Sequence, residues 1–239
     1  MFYDLPDPFK FAKDVKSILD DNGIWHIELS YMPLMLDMNS YDTICHEHLE
    51  YYSLKSLKYL MDMVGLKIIK ISFNDINGGS IAIDVAKKDS IYREVSTKIK
   101  SILHVESKKK YNEINTQKNF FLNCKKNKTL LVNLLKKLKK NNKKVYGYGA
   151  STKGNVILQY CRIKDDLINK IVEINKFKYN KYTPGTKIKI ISESEAKSIN
   201  PDYYLVLPWH FKKNIIEREK KYLKKGGKLI FPLPKIQIV

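Results

Sequence analysis

Cysteine is scarce. The chain has three in 239 residues, Cys45, Cys124 and Cys161, and no CxxC pair. A zinc ribbon and a disulfide scaffold are therefore not expected, and a reducing cytoplasm is the default compartment. No apolar run reaches the roughly 18 residues that a membrane-spanning helix needs. The first residues, MFYDLPDPFKFAKD, lack the basic-then-apolar order of a signal peptide. Acidic residues are also few: 25 Asp and Glu stand against 44 Lys and Arg, a formal charge of +19. Apolar residues are not lacking. At 44% they are enough for a packed core, which argues against a disordered chain.

The positive excess is local. Residues 87–144 carry 18 Lys and Arg against 4 Asp and Glu, and the rest of the chain carries only +5. A stretch rich in Lys and Asn reads first as a solvated helical connector and second as a nucleic-acid surface. Neither nucleic acid nor membrane is the expected partner.

Three parts follow from the patterning. Residues 1–88 alternate α and β. Asp7-Pro8 caps a helix with Phe11, Val15, Ile18 and Leu19 on its apolar face, and Asn22-Gly23 closes it. GIWHIELS (23–30) reads as a buried strand. Ser53 caps a second helix with the stripe Leu54, Leu57, Leu60, Met61 and Val64, ended by Gly65. LKIIKISF and SIAIDVAKK flank the turn-rich NDINGG as an antiparallel return. These elements are too few to bury both faces of a doubly wound sheet. Residues 89–142 read as a basic helical connector, in two helices, with Leu130, Leu131, Leu134, Leu135 and Leu138 on one face. Residues 143–239 alternate again: strand KVYGYG, helix, strand KIVEIN, strand KIKII, a helix capped near Ser192, strand DYYLVL, a helix over 211–224 and strand KLIFP. That order predicts a small Rossmann-like three-layer unit. The expected class is α/β.

Three constellations could carry chemistry. The first is Cys45-His46-Glu47-His48, after strand 23–30. Histidine beside a carboxylate is a simple general base near neutral pH. On an extended backbone His46 and His48 share a face and Glu47 points away. A metal site with Cys45 or Glu28 as further ligands is the weaker option, because HxH under-fills a coordination shell. The other option is that these side chains cap the helix starting at Ser53. The second constellation is Gly147-Tyr-Gly149-Ala-Ser151-Thr-Lys153-Gly154-Asn155, between a strand and a helix. Glycines let backbone approach a phosphate, and a helix N-terminus offers free N–H groups. The spacing GxGxxxxG is neither the dinucleotide fingerprint nor a P-loop. Glu173, at the end of the next strand, stands where an acid can hold a ribose hydroxyl. The third is the loop around Tyr182-Thr183-Pro184-Gly185, with Pro208-Trp209-His210. Turn chemistry explains Pro184-Gly185 and core packing explains Trp209, and His210 is left open.

Taken together, SYDTICHEHLEYYSLKSL, FNDINGGS, VYGYGASTKGN and YTPGTKIKI, in this order, resemble the bacterial sugar C-methyltransferase family. Complete members have an N-terminal zinc-binding segment, a central S-adenosylmethionine-dependent core and a C-terminal Rossmann-like domain. The resemblance implies that residues 1–88 are the last part of that core, a partial class I methyltransferase-like sheet, and that 143–239 are the C-terminal domain. It implies a catalytic neighbourhood at His46, Glu47 and His48, with His48 as base. It implies contacts to the diphosphate of a nucleotide sugar from Gly147, Gly149, Ser151, Lys153 and Asn155, with Tyr182 also at the substrate. Tyr51 or Tyr52 could donate to an enolate oxygen. The implied reaction is C-methylation of a keto-deoxysugar nucleotide: a ketone acidifies its neighbouring C–H, a base removes that proton, and the enolate takes the methyl group.

This sequence departs from the pattern in two ways. No zinc cysteines and no cofactor glycine loop precede the HEH segment, so most of the S-adenosylmethionine site is expected to be missing, as in a truncated enzyme or one working with a separately encoded N-terminal half. Cys45 stands where the family often has Tyr. Three other readings remain: a non-catalytic nucleotide-sugar binding module, a nucleic-acid binder on 87–144, and an NAD oxidoreductase, which the glycine spacing disfavours.

Overall fold

The computed structural model describes residues 2–75 and 78–239. The chain forms two compact units, Met1–Met38 with His46–Phe120, and Asn39–Cys45 with Phe121–Val239.

In the first unit, α1 (Pro8–Ile18) begins as its sequence predicts. Asp7 accepts a hydrogen bond from the Lys10 N–H at 2.8 Å, and Pro8 takes the first helical position. Then come β1 (Trp25–Ser30), α2 (Met32–Asp37), α3 (Leu54–Met63), β2 (Leu66–Asn74), β3 (Ser80–Lys87) and α4 (Ser96–Lys108). The strands pair in the order β1-β3-β2, antiparallel throughout. The expected return of β2 on β3 is there, although Ile76 and Asn77 of its turn lie outside the described residues. β1 is not buried on both faces. Ile27 and Leu29 point into the core while His26 and Glu28 are exposed. An antiparallel sheet with one solvated face gives that alternation. The core joins Ile27, Leu29, Ile81, Ile83 and Val85 to Leu54, Leu57 and Met61 of α3 and Ile99 of α4.

The start of α3 is closed twice. Ser53 and Ser56 form a capping box, and the buried Glu106 of α4 accepts from the Leu54 N–H at 2.7 Å and the Lys55 N–H at 3.1 Å. The Tyr31 hydroxyl also donates to Glu106. A buried carboxylate on N-terminal N–H groups has its lone pairs satisfied and sits at the positive end of the helix dipole.

α5 (Ile114–Lys140) begins in the first unit and continues in the second. The divisions expected at 88 and 142 therefore differ from the observed ones. α4 lends Ile99 and Glu106 to the first core, and α5 buries Cys124, Asn127, Leu131, Leu135 and Leu138 in the second unit. The basic stretch is amphipathic, and its apolar stripe belongs to the units themselves. Leu130, expected on that stripe, is exposed.

The second unit then runs β4 (Val145–Tyr148), α6 (Thr152–Cys161), β5 (Ile171–Glu173), β6 (Ile190–Ser192), α7 (Glu193–Ile199), β7 (Tyr203–Val206), α8 (Lys212–Arg218), α9 (Lys220–Lys224), β8 (Lys228–Phe231) and β9 (Gln237–Ile238). Its sheet has the order β6-β5-β4-β7-β8-β9, parallel except for β9. The helix expected over 211–224 is broken at Glu219, whose carboxylate accepts from the Tyr148 hydroxyl at 2.8 Å. The chain winds outward from β4 to β6 and then returns to the other side of β4 at β7. That reversal is where open α/β sheets form their ligand crevice. Among the described residues no helix is long and apolar enough to cross a membrane.

Candidate functional site

The glycine loop opens at this reversal. Gly149 has φ +82°, and a Cβ there would meet Pro208 at 2.8 Å. A Cβ on Gly154 would meet Leu207 at 2.8 Å, and one on Gly147 would meet Ile171 at 2.8 Å. Gly149 thus supplies a left-handed turn, and Gly154 lets α6 lie close to the segment after β7. Ser151 is the N-cap of α6, its Oγ accepting from the Gly154 N–H at 3.0 Å. Asn155 is half-buried one turn into the helix, its N–H donating to the Ser151 carbonyl at 3.0 Å.

Beside the loop lies a cavity of about 330 Å³ whose lining includes Gly149, Ala150, Ser151, Glu173, Lys178 and Arg218. Glu173 braces the loop. One carboxylate oxygen accepts from the Ala150 N–H at 2.8 Å, and the other from the N–H groups of Ile174 at 2.8 Å and Asn175 at 3.0 Å. Lys178 donates to the Ala150 carbonyl at 2.7 Å and lies 3.7 Å from Glu173. Tyr182 does not line this cavity; its side chain is 60% exposed. The loop after it is self-closed, with Thr183 Oγ1 2.7 Å from Thr186 Oγ1 and accepting from the Ile188 N–H at 2.9 Å.

Lys153 points elsewhere. Its ammonium donates to Thr43 Oγ1 at 3.4 Å and is attracted by the buried Asp42. Asp42 and Thr43 belong to a short 3-10 turn, Tyr41–Thr43, that packs on α6 within the second unit. Tyr41 donates to Asn127 at 3.0 Å, and Trp209 Nε1 donates to Asp42 Oδ2 at 2.8 Å. Trp209 is core, as expected, but its indole N–H has this specific partner. Asp42 Oδ1 and His210 Nδ1 are buried without a hydrogen-bond partner. Burial pushes the Asp42 carboxyl up and the Lys153 ammonium down, and their mutual attraction opposes both shifts. His210 is depressed to about 4, by burial first and by Lys153 second. Asp42 escaped the sequence reading. Its one signal is a lone acid in the otherwise uncharged run MNSYDTIC.

The HEH segment lies in the first unit. Its backbone turns at His46-Glu47 rather than running extended, so His46 Nε2 and Glu47 Oε1 are 3.9 Å apart rather than on opposite faces. Both are exposed. His48 is half-buried, its ring 4.3 Å from that of Tyr3, and the following N–H groups of Leu49 and Glu50 donate to the Tyr3 carbonyl. The first N–H groups of α3 are taken by Ser53 and Glu106, so capping is done by residues outside the HEH motif. Tyr52 is core, packed on Phe2. Among the described residues no three His, Cys, Asp or Glu side chains are grouped to hold a metal ion, and Glu28 instead accepts from Asn74 at 2.9 Å.

A mostly parallel sheet that reverses its strand order beside a glycine-bearing strand–helix loop makes this a mixed α/β protein. Residues 75–234 match the C-methyltransferase C-terminal domain, and the chain belongs to that family. It is 32% identical over 238 residues to the C-methyltransferase NovU of Streptomyces niveus, a match covering 100% of this chain and 56% of that relative.

Proposed function

We propose that the second unit binds the diphosphate of a nucleotide-linked keto-deoxysugar at its glycine loop, and that His48 is the base for C-methylation of that sugar. The observation that carries this reading is the position of the loop. It opens at the strand-order reversal, at the N-terminus of α6, beside a cavity of about 330 Å³ lined in part by Lys178 and Arg218. Helix N-terminal N–H groups suit a diphosphate, and the two lining cations each face a carboxylate, Lys178 facing Glu173 and Arg218 facing Glu193. The cavity falls in the size range of small-molecule sites. The relative's name, C-methyltransferase, supports the reaction class.

The chemistry asks two things of this chain. The loop holds the nucleotide, and the reaction needs a C–H beside the ketone to lose its proton. A neutral His48 then accepts that proton. The methyl donor of such a reaction is S-adenosylmethionine. A separately encoded N-terminal half that supplies the donor site belongs to the same proposal.

Transfer of a labelled methyl group from S-adenosylmethionine to a keto-sugar nucleotide, measured with and without an added N-terminal half, tests it. Turnover is expected with the added half, and His48→Asn should lower it about 10²–10⁴-fold. Absence of turnover in both mixtures rejects the enzyme. Calorimetric binding of dTDP, UDP or GDP sugars without turnover would leave a nucleotide-sugar binding module.

A further inference from the structure

Residues 39–45 leave their sequence neighbours and join the second unit, and the next residue is His46. Tyr41 and Asp42 hold them there. Tyr41 is buried and donates to Asn127 of α5. Asp42 is fully buried, with one oxygen on Trp209 Nε1 and the other without a hydrogen-bond partner. Its nearest cationic help is Lys153, the second residue of α6, which reaches Thr43 at 3.4 Å. The carboxylate is thus under-coordinated, and the ammonium that attracts it stands on the first turn of the very helix that the glycine loop opens.

We propose that the buried Asp42 carboxyl competes with the ligand's diphosphate for Lys153, so that nucleotide binding loosens the segment leading into His46-Glu47-His48. This rests on the reading that the glycine loop binds a nucleotide diphosphate. A diphosphate at the N-terminus of α6 offers Lys153 charge-assisted hydrogen bonds that Asp42 does not make. Once Lys153 turns to it, Asp42 is left buried without that cation, which favours its release with the rest of 39–45. Linkage makes the effect reciprocal: whatever weakens the hold of Asp42 on Lys153 strengthens nucleotide binding. Asp42 and Thr43 are positioning residues, acting through Lys153 and the backbone ahead of His46. Tyr41, Cys45, Trp209 and His210 complete the surroundings of the pair.

The test is calorimetric titration of the full chain with UDP and with dTDP. Asp42→Asn and the near-isosteric Thr43→Val should bind about tenfold tighter than the parent, within the usual span of coupling between sites. In a Lys153→Met background neither substitution should change affinity. A purely structural role for Asp42 predicts equal or weaker binding. Hydrogen exchange of the peptide covering 39–45 should quicken when UDP is added. Nucleotide binding that is unchanged or weakened by both substitutions overturns the latch and leaves the loop reading standing, as does slower exchange. If neither nucleotide binds the parent or either variant, the loop reading fails and the latch fails with it.

Discussion

At the scale of single residues, burial decides what a titratable group can do. His210 sits beside Lys153 with Nδ1 buried and unpartnered, and its ionisation is held down to about 4. In the unfolded chain it titrates near 6.5. Between those values the unfolded state binds a proton that the folded state refuses. Stability contributed by His210 is therefore complete above about pH 6.5 and is lost as pH falls toward 4. Urea midpoints measured from pH 7.5 to 4.5 should fall on acidification. His210→Gln should flatten the curve by up to about 1.4 kcal/mol per pH unit. Parallel curves for parent and variant would count against the buried, neutral imidazole. The partner of Trp209 belongs to the same scale. An indole N–H buried with the core was legible as core from its type alone. That it reaches a carboxylate 167 positions earlier was not, since no local pattern links the two.

At the scale of elements, local signals were read where the chemistry is local. Asp7-Pro8, Ser53 and Ser192 all cap helices, because capping needs only a side-chain oxygen and an N–H two or three residues on; Ser151, read as a phosphate contact, caps α6 as well. The depth of β1 was misread because hydrophobic content does not say how many faces are covered; its partner β3 does. Glu106 shows the limit of the local signal. It looks like one acid in a lysine-rich helix, and it closes α3 from 52 residues away. Glu106→Ala removes the acceptor for two backbone N–H groups and the Tyr31 hydroxyl, all at buried or part-buried positions. Leaving buried donors unpaired costs about 1–3 kcal/mol apiece before relaxation, so a loss of about 3 kcal/mol is expected by urea denaturation. Ser53→Ala, which removes one cap oxygen, should cost about 1 kcal/mol. A Glu106→Ala protein no less stable than Ser53→Ala would show that water or Asn112 replaces the carboxylate. Asn112 already faces Ser53 Oγ at 3.3 Å.

At the scale of the whole molecule, the α/β class and the order of motifs were legible, and the division into units was not. Alternating strands and helices announce their class through periodicity. The placement of 39–45 in the second unit depends on Tyr41, Asp42 and Thr43 finding Asn127, Trp209 and Lys153, contacts that span 86 to 167 residues. The surplus charge can now be assigned to a surface. Cys124, Asn127, Leu131, Leu135 and Leu138 recur every three or four residues and are buried, so they mark one side of α5. Lys118, Lys125, Lys126, Lys136, Lys137, Lys139 and Lys140 fall on the exposed remainder. Lysines spread over the solvated face of one helix meet phosphates without reading bases, and polyanion binding of that kind is carried by counterion release. A labelled mixed-sequence duplex should therefore bind weakly near 20 mM salt, bind no better than heparin, and be lost by about 150 mM. Changing four of these lysines to glutamine should shift the salt dependence without unfolding the chain, because none of them is buried. Submicromolar binding that survives about 150 mM salt and prefers one sequence would reverse the argument. It would make this face a nucleic-acid site rather than the solvated side of a helix.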